Sequence, residues 1–396
     1  MSPNGFLRGR YPSSLYLALA ANLFFFSGFQ WTFATLPGFI QKIGGDATHI
    51  GLAFGLFSLS AVAARPLVGW LVDRWGRKPM LLIGAAIFAL SPALYALLDA
   101  LWPFQIVRVF HGLGIAAFTT AYTTLVGDLA PPARRGGAIG LSGVTNNLGM
   151  LFAPALGVYV VTRWGYAAHF WASAGITALC LLLLLPVTEP VRHTETPIDR
   201  PSRRWTVVRM QPVWIAAFGI TGLAMAYGAV LSFLAPFADE KGLTAASGSA
   251  ALTTGGYFSA FAVAMMLAQA SAGWLSDRVG RRAVALPGMV IVVLAMIGLA
   301  TARTNTALLA AGASFGLGWG LTRAGLDTTV VDAVSAEARG TAVGFLYTMF
   351  DIGVGIGSFG LGFIAQTQGY IAVFYATAGW AAVALAGYLT WGRRYD

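Results

Sequence analysis

Twelve stretches of this chain are apolar over about the length that crosses a bilayer, and that pattern leaves it few folds to choose from. The runs fall at 15–38, 50–72, 79–100, 103–127, 137–161, 167–188, 213–237, 248–275, 283–303, 306–330, 340–365 and 370–391. About 20 residues of helix span the hydrocarbon core. Inside it every backbone polar group must be satisfied within the protein, so runs of this length are read as helices. The expected fold class is an all-α polytopic membrane protein with 12 transmembrane helices. Only 10% of the residues are charged, well under half the ~25% of a soluble domain, so no large soluble domain fits. The first run carries Gln30 and Trp31 and lacks a small-x-small cleavage pattern, so it reads as a span and not a cleaved leader. The single cysteine, Cys180, excludes an intrachain disulfide and a thiolate metal cluster.

The formal net charge is +10. On a soluble chain such an excess would suggest nucleic acid. Here the distribution decides. With both ends on one side, 18 of the 25 Lys and Arg fall on that side, four on the other, and Arg65, Arg108 and Arg323 lie inside spans. Basic loops are retained in the cytoplasm. The expectation is therefore an inner (plasma) membrane protein with both termini cytoplasmic and no nucleic-acid partner.

The polar stretch 189–212, rich in Pro and Arg, lies near mid-chain and reads as a cytoplasmic linker between units 1–188 and 213–396. A repeat relates those units. GWLVDRWGRK, Gly69 to Lys78, recurs as GWLSDRVGRR, Gly273 to Arg282, 204 residues on. The same offset pairs HGLG at His111 with FGLG at Phe315, Asp128 with Asp332, Arg135 with Arg339 and Gly140 with Gly344. Several segments sharing one gapless offset point to two parallel six-helix repeats, a known transporter architecture.

On these residues the chain resembles the major facilitator superfamily over essentially its whole length. The loop motif Gly-x-x-x-Asp-Arg-x-Gly-Arg-Lys/Arg stands in both halves. The fourth run carries Arg-x-x-x-Gly-x-Gly as Arg108, Gly112 and Gly114. The fifth carries a partial antiporter pattern as Gly149, Ala153, Pro154 and Gly157, with Ala where the family has Gly. The closest likeness is to the twelve-span bacterial drug- and sugar-efflux-like branch. The resemblance implies the major facilitator fold of two pseudo-symmetric six-helix bundles. It also implies a central cavity lined by the first, fourth, seventh and tenth helices.

Each motif has a physical reading. Gly76 and Gly280 permit sharp turns between antiparallel helices. Asp73, Arg74 and Arg77, with Asp277, Arg278 and Arg281, surround those turns, and Asp128 and Asp332 lie at the inner ends of the fourth and tenth runs. The resemblance implies a latch there that forms only when the cytoplasmic ends are close. Pro154 removes one helical hydrogen bond and is expected to kink its helix. Ionisable residues inside spans are costly and mark function. Asp351 lies twelve residues beyond Arg339, about 18 Å along a helix at 1.5 Å per residue, near mid-membrane. Its repeat mate is Asn147, which reads as a non-symmetric feature, and Asp351 is the expected proton carrier. Arg108 and His111 are candidate coupling partners. Arg323 and Asp327 are spaced i,i+4 and should pair. Arg65, whose mate is Gln269, either snorkels to the inner surface or helps close the cavity. Gln30, Trp31, Tyr122, Tyr227, Asn146, Asn147 and Tyr257 are the remaining cavity candidates; aromatics with a few amides suit an amphipathic, largely neutral substrate.

The expected function is secondary transport by alternating access, as proton-coupled efflux of a small amphipathic molecule. A proton-coupled importer or facilitator, or a lipid or lysolipid transporter, are the alternatives. No metal site, cofactor or catalytic cluster is called for, so the chain is read as no enzyme. The expected partners are a small-molecule substrate, protons and membrane lipid, with the chain a monomer.

Overall fold

Helices alone make up the regular structure of the described residues in the computed structural model, which covers 11–131, 134–189, 207–335 and 339–391. In chain order they are α1 (Ser13–Phe33), α2 (Leu36–Lys42), α3 (Ala47–Trp75), α4 (Arg77–Tyr95), α5 (Leu101–Leu129), α6 (Arg135–Leu184), α7 (Gln211–Glu240), α8 (Leu243–Ser247), α9 (Gly256–Val279), α10 (Arg281–Ala300), α11 (Asn305–Ala333), α12 (Arg339–Gly355), α13 (Leu361–Gln368) and α14 (Tyr370–Trp391). Among the described residues nine helices are long and apolar enough to cross a membrane, or ten when α1 and α2, bent by 45°, count as one span. Most of the linker falls outside the described residues.

Against the twelve runs expected from sequence, the helices differ at their ends and middles. The runs 137–161 and 167–188 merge into α6, whose helical path breaks only at Gly165 (φ 80°). Pro154, expected to kink this helix, keeps helical backbone angles. A π-helical turn, Ala251–Gly255, leads into α9, and another, Ile356–Gly360, joins α12 to α13. These turns widen the helix by one residue per turn, a feature common where helices must slide or bind.

Turns repeat with the sequence. Glycines in the left-handed region at Gly44, Gly76 and Gly165 have counterparts at Gly248, Gly280 and Gly369, each 204 residues on. At Gly76 (φ 110°) and Gly280 (φ 90°) a side chain would be strained, which is why the loop motif carries Gly there.

Packing follows the same offset. α3 packs on α5 and α4 on α5 in the first half, as α9 packs on α11 and α10 on α11 in the second. A Cβ at Gly112 would run into the Phe57 carbonyl, and one at Gly316 into the Phe261 carbonyl. Gly84 and Gly288 likewise press on α5 and α11 beside Gly114 and Gly318. In lipid the hydrophobic effect does not drive helices together, so such small-residue contacts and interhelical hydrogen bonds do.

The halves meet mainly where α3 packs on α12 and α13 and where α6 packs on α9, with smaller contacts of α2 and α3 on α7. The apolar cores show how. One cluster combines Phe33, Phe39, Ile50 and Phe54 of the first half with Val230, Phe233, Phe237 and Phe374 of the second. It lies toward the face opposite the loop motifs. At the motif face, one cluster is drawn from Leu15 to Val187 and another from Val207 to Tyr388. The halves share a core at one face and hold separate cores at the other.

Candidate functional site

Where α3 packs on α12 and where α6 packs on α9, the halves meet through polar side chains. Arg65 of α3 reaches Asp351 of α12: Nε and Nη2 donate to Oδ2 at 2.9 and 2.5 Å. Asn147 of α6 donates through Nδ2 to Gln269 Oε1 of α9 at 3.0 Å. Position 65 plus 204 is 269, and position 147 plus 204 is 351, so these are equivalent contacts across the internal repeat. The expectation that Asp351 stands apart from the symmetry is corrected: the position is symmetric and its chemistry is not. Arg65 does not snorkel; it closes across the interface.

Further toward the shared core the pairing continues. Gly51 and Gly55 press on Ser358 and Phe359, and Gly255 presses on Ala155. Ser259 donates to the Leu151 carbonyl at 2.8 Å. The contacts of Gly51 and Gly255, again 204 apart, flank the π-helical turn at 356–360 and Pro154 respectively.

Asp351 has a second cationic neighbour, Arg323 of α11, whose charge acts on it. Arg323 Nε donates to Asp327 Oδ2 at 2.7 Å, the i,i+4 pair expected from spacing. Its guanidinium also lies over the rings of Tyr347 and Phe350, at 5.1 and 5.9 Å. The Asp327 side chain stays 41% exposed. Phe350 meets Trp319 (5.8 Å between ring centres), and Trp319 meets Tyr227 (5.0 Å) and Phe261 (5.9 Å). Tyr227 reaches the first half at Gln30 and at Met150, 4.0 Å from its hydroxyl. Four charges and an aromatic wall thus surround the junction of the halves, where a bound molecule could contact both.

Other expected cavity residues turn inward within a half. Trp31 Nε1 donates to the His169 carbonyl at 3.2 Å. Tyr122 donates to Ser142 Oγ at 2.9 Å. Asn146 accepts from Asn22. Tyr257 is fully buried against Gly312.

Arg108 and His111 are sealed between α3, α4 and α5, at 1% and 0% exposure. Arg108 Nε donates to the Ala53 carbonyl at 3.0 Å and its guanidinium covers the Phe57 ring at 4.5 Å. Its Nη1 is 3.5 Å from His111 Nδ1, which also meets the Tyr95 hydroxyl at 3.0 Å. Arginine can only donate, so Nδ1 accepts and the ring hydrogen sits on Nε2.

The loop motifs act within each half. Arg77 pairs with Asp128 at 2.8 Å and Arg281 with Asp332 at 3.0 Å. Lys78 Nζ donates to the Leu185 carbonyl at 2.6 Å, and its mate Arg282 to the Leu389 carbonyl at 3.3 Å, cations placed at helix C-terminal ends. Glu189 accepts the Lys78 amide at the start of α4. Arg74 lies over Trp70, 5.2 Å from the ring centre. Since these contacts exist while the motif-face cores are separate, the expectation that they form only on closure is corrected: they staple the first turn of α4 and α10 to the helices of their own half. Asp73 and Arg278 have partners of their own. Gly69 has open space beside it. Gly273 lies on α9, and the Asp277 side chain lies outside the described residues.

Sequence reasoning missed Gln269 as a contact, the capping role of Lys78 and Arg282, and a further buried network. In that network His169 Nε2 lies 2.9 Å from Thr35 Oγ1 and Nδ1 3.0 Å from the Gly157 carbonyl. The offset of 204 already marked Gln269 as the mate of Arg65; no pattern marked His169.

The repeat of turns and packing contacts at one offset agrees with sequence comparison, in which the Major Facilitator Superfamily matches residues 18–260 and 249–395. The chain belongs to the Major Facilitator Superfamily. Among its relatives in that superfamily is the multidrug resistance protein MdtG of Citrobacter koseri, 26% identical over 364 residues, covering 89% of this chain and 88% of that protein. An uncharacterized MFS-type transporter of Methanocaldococcus jannaschii is 23% identical over 84% of this chain and 86% of its own. Among solved structures, a bacterial homolog to the human lysosomal transporter Spinster, inward-facing and unoccupied, has a TM-score of 0.79 at 18% identity over 97% of this chain and 98% of that one. The nucleoside transporter NupG has a TM-score of 0.75 at 14% identity over 97% and 100%. This superfamily member is a multi-pass membrane transporter of small molecules and not an enzyme.

Proposed function

We propose that this transporter exports a small amphipathic molecule in exchange for protons, with Asp351 as the proton-carrying group. The observation that carries the reading is the Arg65–Asp351 pair, an ionisable contact between the halves at mid-membrane. A carboxylate there is costly without its partner, so its protonation and the arrangement of the halves are coupled. The aromatic wall of Tyr227, Trp319 and Phe350, with Asp327 half open beside it, offers flat apolar contact and one charge, which suits an amphipathic substrate. The name of the MdtG relatives supports drug-like substrates. Arg108 and His111 support the cycle at one remove, by fixing how α3, which carries Arg65, sits on α5.

We read the architecture as twelve spans in two bundles, 1–188 and 213–396, joined by the linker 189–212. The ten apolar spans become twelve when α6 is divided at Gly165 and the 29-residue α11, which carries Arg323 and Asp327, is counted. The basic motif face is then cytoplasmic, both termini lie there in the inner membrane, and the separate cores at that face correspond to an inward-open state.

The test uses everted vesicles and ethidium, a fluorescent lipophilic cation. A proton gradient should drive ethidium uptake by the native protein, and Asp351→Asn should abolish the dependence on the gradient while leaving passive exchange. Gradient-driven uptake persisting in Asp351→Asn would remove Asp351 from the proton path.

A further inference from the structure

The two contacts that clasp the halves are repeat mates with unlike chemistry, and the unlikeness extends to their surroundings. Around Asp351 stand Arg65 from α3 and, from α11, Arg323 with its partner Asp327; Tyr347 lies on its own helix. The equivalents around Asn147 are Gln269, Thr119 and Thr123. Thr119 and Thr123 donate back to carbonyls of their own helix, at 2.7 Å to Ile115 and 3.0 Å to Thr119. Asn146, adjacent on α6, is occupied by Asn22 of α1. Four charges on one side of the pseudo-two-fold thus face four neutral polar groups on the other, in the same backbone frame.

We propose that proton sensitivity resides in this asymmetry: the Arg65–Asp351 clasp is released by protonation, the Asn147–Gln269 clasp is its proton-insensitive mate, and the sensitive character can be moved from one clasp to the other. The proposal rests on Asp351 being the proton carrier and adds what Gln269, Asn147 and Arg65 do. The ionised clasp is made in the motif-face-open state. By linkage, ionisation favours the state in which the pair is made, and protonation favours the state in which it is broken. An empty, unprotonated transporter is thereby held open at the motif face and does not turn over without cargo. The amide clasp keeps α6 and α9 in register throughout, because no proton changes its strength.

The frame supplies matched reporters. Gly140 and Gly344 are repeat mates, exposed, with nothing within 4 Å of an added Cβ. Each lies two helical turns from its clasp residue on the same face. In a Cys180→Ala background, Gly344→Cys and Gly140→Cys are labelled with a membrane-impermeant maleimide across pH, each rate divided by that of free cysteine at the same pH. With native clasps, normalised labelling at both sites should fall on acidification by about fivefold or more, the lower end of typical coupling between sites. Arg65→Gln with Asp351→Asn, which makes both clasps amides, should flatten the response. Adding Asn147→Asp and Gln269→Arg to that variant should restore it, with a different midpoint because Thr119 stands where Arg323 would be.

A flat all-amide variant with a flat transplant, both melting alike, overturns the proposal and leaves Asp351 as the carrier. An all-amide variant that still responds to pH overturns the carrier reading itself. Should the transplant fail to purify as a monodisperse protein, Asn147→Asp with Gln269→Arg in the native background serves instead. Two ionic clasps should steepen the pH response, and an unchanged slope counts against the proposal.

Discussion

Between α3, α4 and α5 the first half buries a guanidinium, an imidazole and a phenol: Arg108, His111 and Tyr95. At the equivalent place the second half has Gly312, Phe315 and Leu299, and the ring of Tyr257, mate of Ala53, fills the slot that Arg108 takes in the first. The backbones nonetheless approach alike, through Gly112 on Phe57 and Gly316 on Phe261. The helix frame is therefore set by small residues, and the frame tolerates either a polar or an apolar filling. Polar fillings are where the halves were free to diverge. In each case, the core slot and the interface clasp, one half or one clasp carries ionisable chemistry and its mate is neutral.

The comparison predicts unequal responses to equal changes. The largest is expected at the clasps. Arg65→Gln leaves the partly buried Asp351 carboxylate without its main partner and should lower unfolding stability by about 1–3 kcal/mol, as stranding one partner of a charged hydrogen bond does. Gln269→Ala should cost about 1 kcal/mol, the worth of one neutral hydrogen bond. Chemical denaturation in detergent measures both, and equal losses would mean that the ionic clasp contributes nothing special.

Next come the shared close approaches. Gly112→Val and Gly316→Val each force a side chain onto a backbone carbonyl and should each cost about 1–3 kcal/mol, with the two halves losing alike. A large difference between them in thermal melting would show that the frame is not common to the halves.

A smaller contrast lies in the two buried phenols. Tyr95→Phe removes the hydroxyl from His111 Nδ1 and should cost about 1 kcal/mol. Tyr257→Phe removes a buried hydroxyl with no hydrogen-bond partner among the described residues, and should be neutral or stabilising. A melting series of both single variants decides it.

The smallest effect is at the start of α3. Asp46 caps that helix, accepting from the His49 amide at 3.0 Å and meeting the His49 ring at 2.7 Å. Partial burial raises its carboxyl, but these bonds and the His49 charge outweigh it, so Asp46 is held below the usual aspartate range. A depressed acid contributes stability above its unfolded value and loses it as pH falls through the folded one. The cap should therefore hold at neutral pH and fade only under strong acid. Asp46→Ala should cost about 1 kcal/mol at neutral pH and nothing in strong acid. A constant loss across that range would detach the effect from the carboxylate.

How far these features could be read from the chain depends on what periodicity carries. The turns at Gly76 and Gly280, the all-helical apolar character and the 204-residue repeat are local or linear properties, and they stand in the fold. The offset also named Arg65 with Gln269 and Asp351 with Asn147 as equivalents. It could not name them as contacts, because helices apolar on every side do not reveal which face meets which neighbour. The same ambiguity placed Trp31, Tyr122 and Tyr257 toward a cavity when they pack within their halves. Breaks escaped for a related reason: the π-helical turn at 356–360 packs on both α3 and α7, contacts that periodicity does not reveal, and Pro154 keeps helical angles within α6. The Arg323–Asp327 pair was legible since both residues share one helix and its geometry.

The core shared by the two halves, with Phe54, Phe233 and Phe237 among its members, has a thermal consequence. To present its opposite side, the transporter must let water reach those rings. Hydration of apolar surface changes heat capacity and weakens apolar association on cooling. The preference between the two orientations is therefore a function of temperature as well as of cargo, and cold loosens this seal through the solvent, with no contact in the protein altered.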